Sequence, residues 1–246
     1  MGRLLIFLFL LLSPAIGAAL PTQTTQAVIG IAEGWDSSRV TLSLVEKVPG
    51  GGWQRVLGPI PGRLGRNGLV WGLGLHRNPR GCVVKQEGDG RSPAGIYALG
   101  GLWTTNRTPV KHHPRIPEIR VGPRDLWVSD LSRPALYNRH VRLDHPASTP
   151  WEKREQMRQT DYPHSIKLLI RHNTEETPGR PVPGAGSSIF FHIWRNGGNS
   201  PTAGCTSMPE SSLRALIARL DPARHPVYIL LPRSEYARLR RAWRLP

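Results

Sequence analysis

Cysteine is scarce in this chain, as are acidic residues and long apolar runs. Its two cysteines, Cys82 and Cys205, are too few to build a disulfide scaffold, although the sequence leaves open that they pair with each other. The longest apolar run, residues 4–12, is shorter than the roughly 20 residues that a membrane span needs. Walker-type and dinucleotide-binding glycine patterns are also missing. These absences argue against disulfide-rich, polytopic and common nucleotide-binding proteins.

Metal-ligand spacing is missing too. The pair His112-His113 lies in a segment rich in proline and arginine, without the cysteine or carboxylate partners that a zinc site uses. We therefore predict no metal and no cofactor.

Positive charge dominates the composition, with 33 lysines and arginines against 17 acidic residues and a formal net charge of +16. Such a surplus favours anionic partners such as nucleic acid, an anionic membrane surface or an acidic wall polymer. Arginines scattered through loops more often reflect a general basic composition than a dedicated polyanion site.

The N-terminus predicts export. Arg3 precedes the apolar run, and small residues follow up to Ala19, the pattern of a secretory signal peptide over residues 1–19 with cleavage after Gly17 or Ala19. An uncleaved anchor is the alternative. We expect a protein of the periplasm or cell envelope, with no nucleic acid partner and at most peripheral membrane contact.

Short apolar runs between turn residues predict a mainly β fold. The chain holds 26 glycines and 24 prolines, which separate these runs. We expect two strands within 26–48 around a turn near 36–38, followed by strands at Trp53–Ile60, Gly68–Leu75, Gly81–Lys85, Ile166–Arg171, Ser187–Ile193 and Val227–Leu231. In the Gly81–Lys85 strand, Cys82 is expected to be a small buried thiol.

Helical patterns are few. Ser207 is expected to cap a helix whose apolar stripe ends before Asp221-Pro222. A basic, solvated helix is expected over 233–246. Residues 104–164, which show weak periodicity, are expected to form an irregular insertion with a short helix at Trp151–Gln159. One catalytic domain would then span 27–232.

A candidate catalytic pair lies near the end of this domain. His192 ends an apolar strand, and Cys205 follows a loop rich in Gly, Asn and Pro, just ahead of the helix expected at Ser207. A neighbouring imidazole or a helix N-terminus can favour a thiolate over a thiol. We expect Cys205 to be the nucleophile and His192 its general base, with backbone N–H groups of Gly204, Cys205 and Thr206 around the oxyanion. A buried structural thiol beside a core histidine is the alternative.

Two segments resemble the L,D-transpeptidase catalytic domain of the YkuD type. His192 and Thr202-Ala203-Gly204-Cys205 match the family's strand histidine and its Ser/Thr-x-Gly-Cys segment, and residues 87–97 resemble its upstream Thr-Pro-x-Gly-x-Phe signature. Ala203 and Ser207 depart from the commoner pattern, which has His and Arg there. The chain would be a divergent member that lacks a second imidazole and a substrate-binding cation.

The resemblance implies a single β-sandwich or barrel-like catalytic domain that modifies peptidoglycan. A stem-peptide donor would form a thioester on Cys205, and an amine, for example on a wall-anchored protein, would accept the acyl group. Resolution by water would make the protein an L,D-carboxypeptidase or hydrolase, and a non-catalytic wall-binding module is a further alternative. Substrate contacts are expected from Arg195, Thr202, Arg171 and His172.

Overall fold

The computed structural model describes residues 20–105, 109–157, 160–175 and 181–246. The expected signal peptide, 1–19, lies outside the described residues. The described strands are β1 (Gln26–Ala32), β2 (Arg39–Lys47), β3 (Trp53–Arg63), β4 (Leu69–Trp71), β5 (Ser92–Thr104), β6 (Glu118–Arg120), β7 (Asp125–Trp127), β8 (His140–Arg142), β9 (Ile166–Ile170), β10 (Phe190–Ile193), β11 (Thr206–Met208) and β12 (Val227–Pro232). The described helices are α1 (Pro150–Glu155), α2 (Glu210–Arg219) and α3 (Arg233–Leu239). The mainly β fold class is therefore confirmed.

The main sheet closes on itself. Neighbouring strands follow the order β12-β1-β2-β3-β11-β10-β9-β5, and β5 also pairs with β12. The β1–β12 and β10–β11 pairs are parallel, whereas the other six pairs of this ring are antiparallel. Inward side chains such as Leu42, Ile96, Phe191 and Ile229 are buried and form the main core. Closure leaves alternate residues of the same strands facing outward.

The outer face of β5, β9 and β10 carries a second, smaller core. Residues from the 104–164 insertion cover this face, so that Trp127 and Met157 pack with Trp103, Leu169 and Phe190. The insertion is thus not wholly irregular, since it contributes β6, β7, β8 and α1. Its helix ends at Glu155 rather than at 159, because Gln156 turns to extended backbone and bridges to Leu126.

Two expectations, at Cys82 and at Ser207, are wrong. Residues 81–85 form a loop joined to the sheet by a bridge between Trp71 and Val84, and Cys82 is only half-buried because neighbouring valines face solvent. Ser207 does not cap a helix. It lies within β11, and helix α2 begins only after Pro209.

The C-terminal segment is packed rather than solvated. Helix α3 ends at Leu239, and Leu239, Trp243 and Leu245 are all buried in the main core. The abundance of arginine over 233–246 concealed this apolar stripe. No helix in the described ranges has both the length and the apolarity needed to cross a membrane.

Strand β5 requires glycine at position 95. Gly95 has φ of +142°, and a Cβ there would overlap the His76 ring. We expect Gly95→Ala to lower the free energy of unfolding by about 3 kcal/mol or more. Gly81→Ala is the matched control, because Gly81 has φ of +74° with open space around it and its strain is only about 1–2 kcal/mol. Urea unfolding measures both; equal losses would contradict the packing argument.

Buried neutral histidines predict acid sensitivity. Burial lowers the pKa of His76 to about 4 and that of His172 and His192 to about 3. The unfolded chain, with histidine pKa near 6.5, therefore binds more protons, so stability should fall as the pH drops from about 6.5 towards 3. Each histidine contributes up to about 1.4 kcal/mol per pH unit in this window.

Urea unfolding above and below pH 6.5 tests this dependence. His172→Gln removes one titrating group and should reduce the loss of stability on acidification, and His113→Gln, at a half-buried surface histidine, is the matched control. A loss that is unchanged in His172→Gln would show that another group causes the acid sensitivity.

Candidate active site

The parallel pairing of β10 with β11 brings the two predicted catalytic residues to one face of the sheet. Phe191 lies opposite Thr206 and His192 opposite Ser207, so Cys205, just before β11, lies beside Phe190. Side chains alternate along a strand, and Phe191 and Thr206 therefore point into the main core. His192 and Cys205 face outward, under the insertion.

Both residues line one cavity of about 230 Å³. The floor is formed by His192, Cys205 and Ser207, one wall by loop residues 200–203, and the other wall by His164 and Arg195. Ligand sites for drug-sized molecules usually occupy about 300–1,000 Å³. This cavity therefore fits a small reacting group, with the rest of any larger ligand outside it.

The Cys205 thiol is neutral at rest. Its Sγ–H donates to the Ser188 carbonyl oxygen at 3.2 Å, and the Phe190 N–H donates to Sγ at 3.4 Å. Burial raises the pKa of the thiol, against the opposing effects of the Phe190 N–H and of Lys85 and Lys167. Because β11 separates Cys205 from α2, the expected activation by a helix N-terminus is wrong.

The His192 imidazole is also neutral. Its Nδ1 lies 2.7 Å from the Ile193 carbonyl oxygen, which only accepts, so Nδ1 carries the proton and Nε2 keeps its lone pair. Burial, followed by the neighbouring His164, lowers the pKa of His192 to about 3. The resting pair is thus a thiol and a neutral base, each bonded to main-chain oxygen.

Two lysines that the sequence analysis missed place positive charge near the thiol. Lys167 on β9 pairs in register with His192, and Lys85 forms an ion pair with Asp89 at 2.6 Å. Burial lowers the pKa of Lys167 to about 8, although Cys205 raises it. Lysine within the otherwise apolar strand Ile166–Ile170 was a usable signal for a site.

A polar row crosses four strands at this position. Lys167, His192, Ser207 and Arg63 follow one another in register on β9, β10, β11 and β3, and all four are buried. The Ser207 hydroxyl has no hydrogen-bond partner among the described residues, although it lines the cavity. Arg63, the last residue of this row, pairs with Ser207 and places a buried guanidinium group next to it.

The insertion contributes a second imidazole, which the sequence analysis also missed. The His164 ring lies 4.6 Å from the His192 ring, centroid to centroid, and His164 Nδ1 lies 2.7 Å from Asp161 Oδ2. Arg195 forms an ion pair with the same carboxylate, which places this predicted substrate residue at the cavity. His164 has no nearby motif that would have indicated its role.

Side-chain hydroxyls from both segments that resemble the transpeptidase family donate hydrogen bonds to the main chain at Cys205. Ser92 Oγ and Thr202 Oγ1 both donate to the Cys205 carbonyl oxygen, at 3.3 and 2.7 Å. Thr202 Oγ1 also accepts from the Gly204 N–H, so that predicted oxyanion donor is already engaged. The Thr206 hydroxyl contacts Tyr228 in the main core instead of the cavity.

The remaining predicted substrate residues lie elsewhere. His172 is buried and holds its loop together, because it accepts from the Leu73 N–H at 3.1 Å and donates to the Ala185 oxygen at 2.9 Å. Arg171 lines two other cavities, of about 500 and 360 Å³. Cys82 lines another, of about 540 Å³, and both cysteines are free thiols, so the Cys82–Cys205 disulfide that the sequence left open is not formed.

No family model, curated protein or solved structure matches this chain. The resemblance of two segments to the transpeptidase family therefore stays a prediction, and the function has to be argued from the geometry of the cavity.

The lysine beside Cys205 yields a test of the thiol. Lys167→Met removes a cation that favours the thiolate, so at fixed pH Cys205 should react several-fold more slowly with iodoacetamide. The background variant Cys82→Ser leaves one thiol to label, and Lys153→Met on the exposed side of α1 is the control. Unchanged labelling of Lys167→Met would show that Lys167 does not act on the thiol.

Proposed function

We propose that the protein is a cysteine acyltransferase of the cell envelope, resembling L,D-transpeptidases, that acts on peptidoglycan stem peptides. The observation that carries the proposal is the shared cavity, which Cys205 and His192 both line together with His164 of the insertion; Nε2 of His192 carries no proton. Nucleophilic catalysis requires such a thiol and base within one small, sheltered volume.

The resting charges set the order of events. Because both groups are neutral, His192 Nε2 takes the thiol proton only as the donor carbonyl enters and Sγ gives up its bond to Ser188. Sγ then attacks the carbonyl carbon and forms the C–S bond, while the C–N bond breaks and the leaving amine takes the proton from His192. The products are a thioester on Cys205 and a free amine.

Two lysines favour this step electrostatically. Lys85 and Lys167 lower the pKa of Cys205 against burial, and so they stabilise the thiolate as it forms. For Gly204 to stabilise the oxyanion, its N–H must exchange Thr202 Oγ1 for the substrate oxygen. We therefore expect the 200–204 loop to adjust when the donor binds.

The second half of the reaction decides the product. An amine gives a cross-link or a link to a wall-anchored protein, whereas water gives L,D-carboxypeptidase or hydrolase activity. The raised pKa of the Cys205 thiol favours one further candidate, a wall-binding module that holds a structural cysteine. In that case the protein would bind wall fragments and form no thioester.

Cys205→Ala and Cys205→Ser should abolish thioester formation with a tetrapeptide muropeptide, because no thiolate remains to attack. His192→Gln should reduce it strongly, since the amide has no basic nitrogen. Intact-protein mass measured after acid quench detects the adduct, and Cys82→Ser serves as a control that keeps it. An adduct that persists in Cys205→Ala would overturn the proposed nucleophile, and binding without an adduct in the unaltered protein would favour the wall-binding module.

A further inference from the structure

The cavity holds two imidazoles in different settings. His192 is buried at the floor, whereas His164 is half-buried and stands at the wall. The rings lie 4.6 Å apart at an interplanar angle of 46°. A ligand that arrives from solvent therefore meets His164 before it meets His192.

The two rings donate hydrogen bonds to acceptors of different charge. His192 Nδ1–H donates to a carbonyl, but His164 Nδ1–H donates to the Asp161 carboxylate. Burial alone would raise the pKa of Asp161, yet hydrogen bonds from His164 and Arg195 outweigh it and the net shift is downward. The carboxylate is thus ionised, which fixes the ring, leaves the lone pair on Nε2 and stabilises an imidazolium.

We propose, on the basis of the acyl transfer proposed above, that His164 is the catalytic base of the second half-reaction. The acceptor amine, or water, attacks the thioester carbon and gives its extra proton to His164 Nε2. The new C–N or C–O bond forms as the C–S bond breaks and Cys205 leaves as a thiolate. His164 then releases the proton and the thiolate regains one, so the cycle consumes no net proton.

The charges around His164 support this division of roles. Asp161 lies on the preceding turn, Arg195 beyond β10 and Lys167 on β9, and only Asp161 favours the protonated ring. Burial lowers the pKa of His164, which keeps the ring neutral and able to accept a proton at neutral pH. Asp161 is positioned to hold the proton there once it arrives.

The experiment follows the two half-reactions separately. A tetrapeptide muropeptide is the donor, a second muropeptide is the acceptor, and rapid-quench mass spectrometry of the whole protein measures how fast the thioester forms and decays. We expect His164→Gln to form the thioester at nearly the unaltered rate and to release it on the order of 100-fold more slowly, so that the adduct accumulates. His113→Gln, a histidine beside Asp221 away from the cavity, is the control.

Two further arms separate a base from a structural role. Hydroxylamine, a strong nucleophile that is unprotonated at neutral pH, should release the adduct from His164→Gln, and imidazole in solution should restore release in His164→Gly. Asp161→Asn keeps an oxygen acceptor for the ring but loses the charge, so it should also slow release. If His164→Gln does not fold, Asp161→Asn provides the same test.

The outcomes are distinguishable from those of the proposed function. If the unaltered protein forms no thioester, the acyltransferase proposal fails and this role falls with it. If the thioester forms and both His164→Gln and Asp161→Asn release it at the unaltered rate, His164 is not the base and the acyltransferase proposal stands. Equal slowing of formation and release would assign His164 to holding the site together.

Discussion

The parallel register of β10 on β11 is the constraint on which the site depends. It turns His192 and Cys205 towards the insertion and turns Phe191 and Thr206 towards the main core. A slip of one residue would bury the thiol inside the closed sheet and expose Thr206 in its place. Two sets of contacts stabilise this register. Phe191 packs against Tyr228 in the main core, and the hydroxyls of Ser92 and Thr202 donate hydrogen bonds to the Cys205 carbonyl oxygen.

Burial then determines the chemistry of the pair. Desolvation penalises whichever form is charged, so it raises the pKa of Cys205 and lowers that of His192. The two effects push in the same direction, towards a thiol and a neutral imidazole. The site therefore holds no preformed thiolate–imidazolium pair, and in the proposed reaction the thiol ionises only when the donor displaces its hydrogen bond to Ser188.

The features that depend on local sequence could be predicted. Short apolar runs identified seven of the twelve described strands but missed β5, and the spacing of His192 and Cys205 identified the pair that shares a cavity. The segment after Cys205 was misjudged because serine is a favoured helix-cap residue and its local sequence gives little sign of a strand. Its three-residue strand exists through pairing with β10 and with Arg63, which are distant in sequence.

Residues that the closed sheet brings together could not be predicted from local sequence patterns. Lys85, Lys167 and His164 all lie far from Cys205 in the sequence. The pairing of β9 with β10 brings Lys167 beside His192, the fold of the insertion brings His164 to the cavity, and Lys85 comes near enough to influence the thiol. Of these three residues, only Lys167 could have been noticed in the sequence, because it is a charged residue within an apolar strand. The expectation of a missing second imidazole concerned position 203, whereas the imidazole beside His192 is supplied by position 164.

The basic composition can be reconsidered in this light. Most of the described lysines and arginines are exposed or partly exposed to solvent, where salt at physiological strength screens them beyond about 8 Å. Lys85 and Lys167 are different because they are buried, and a charge in that setting acts on Cys205 with little screening. The influence of positive charge on the thiol therefore follows from where these two lysines lie, not from the net charge of +16.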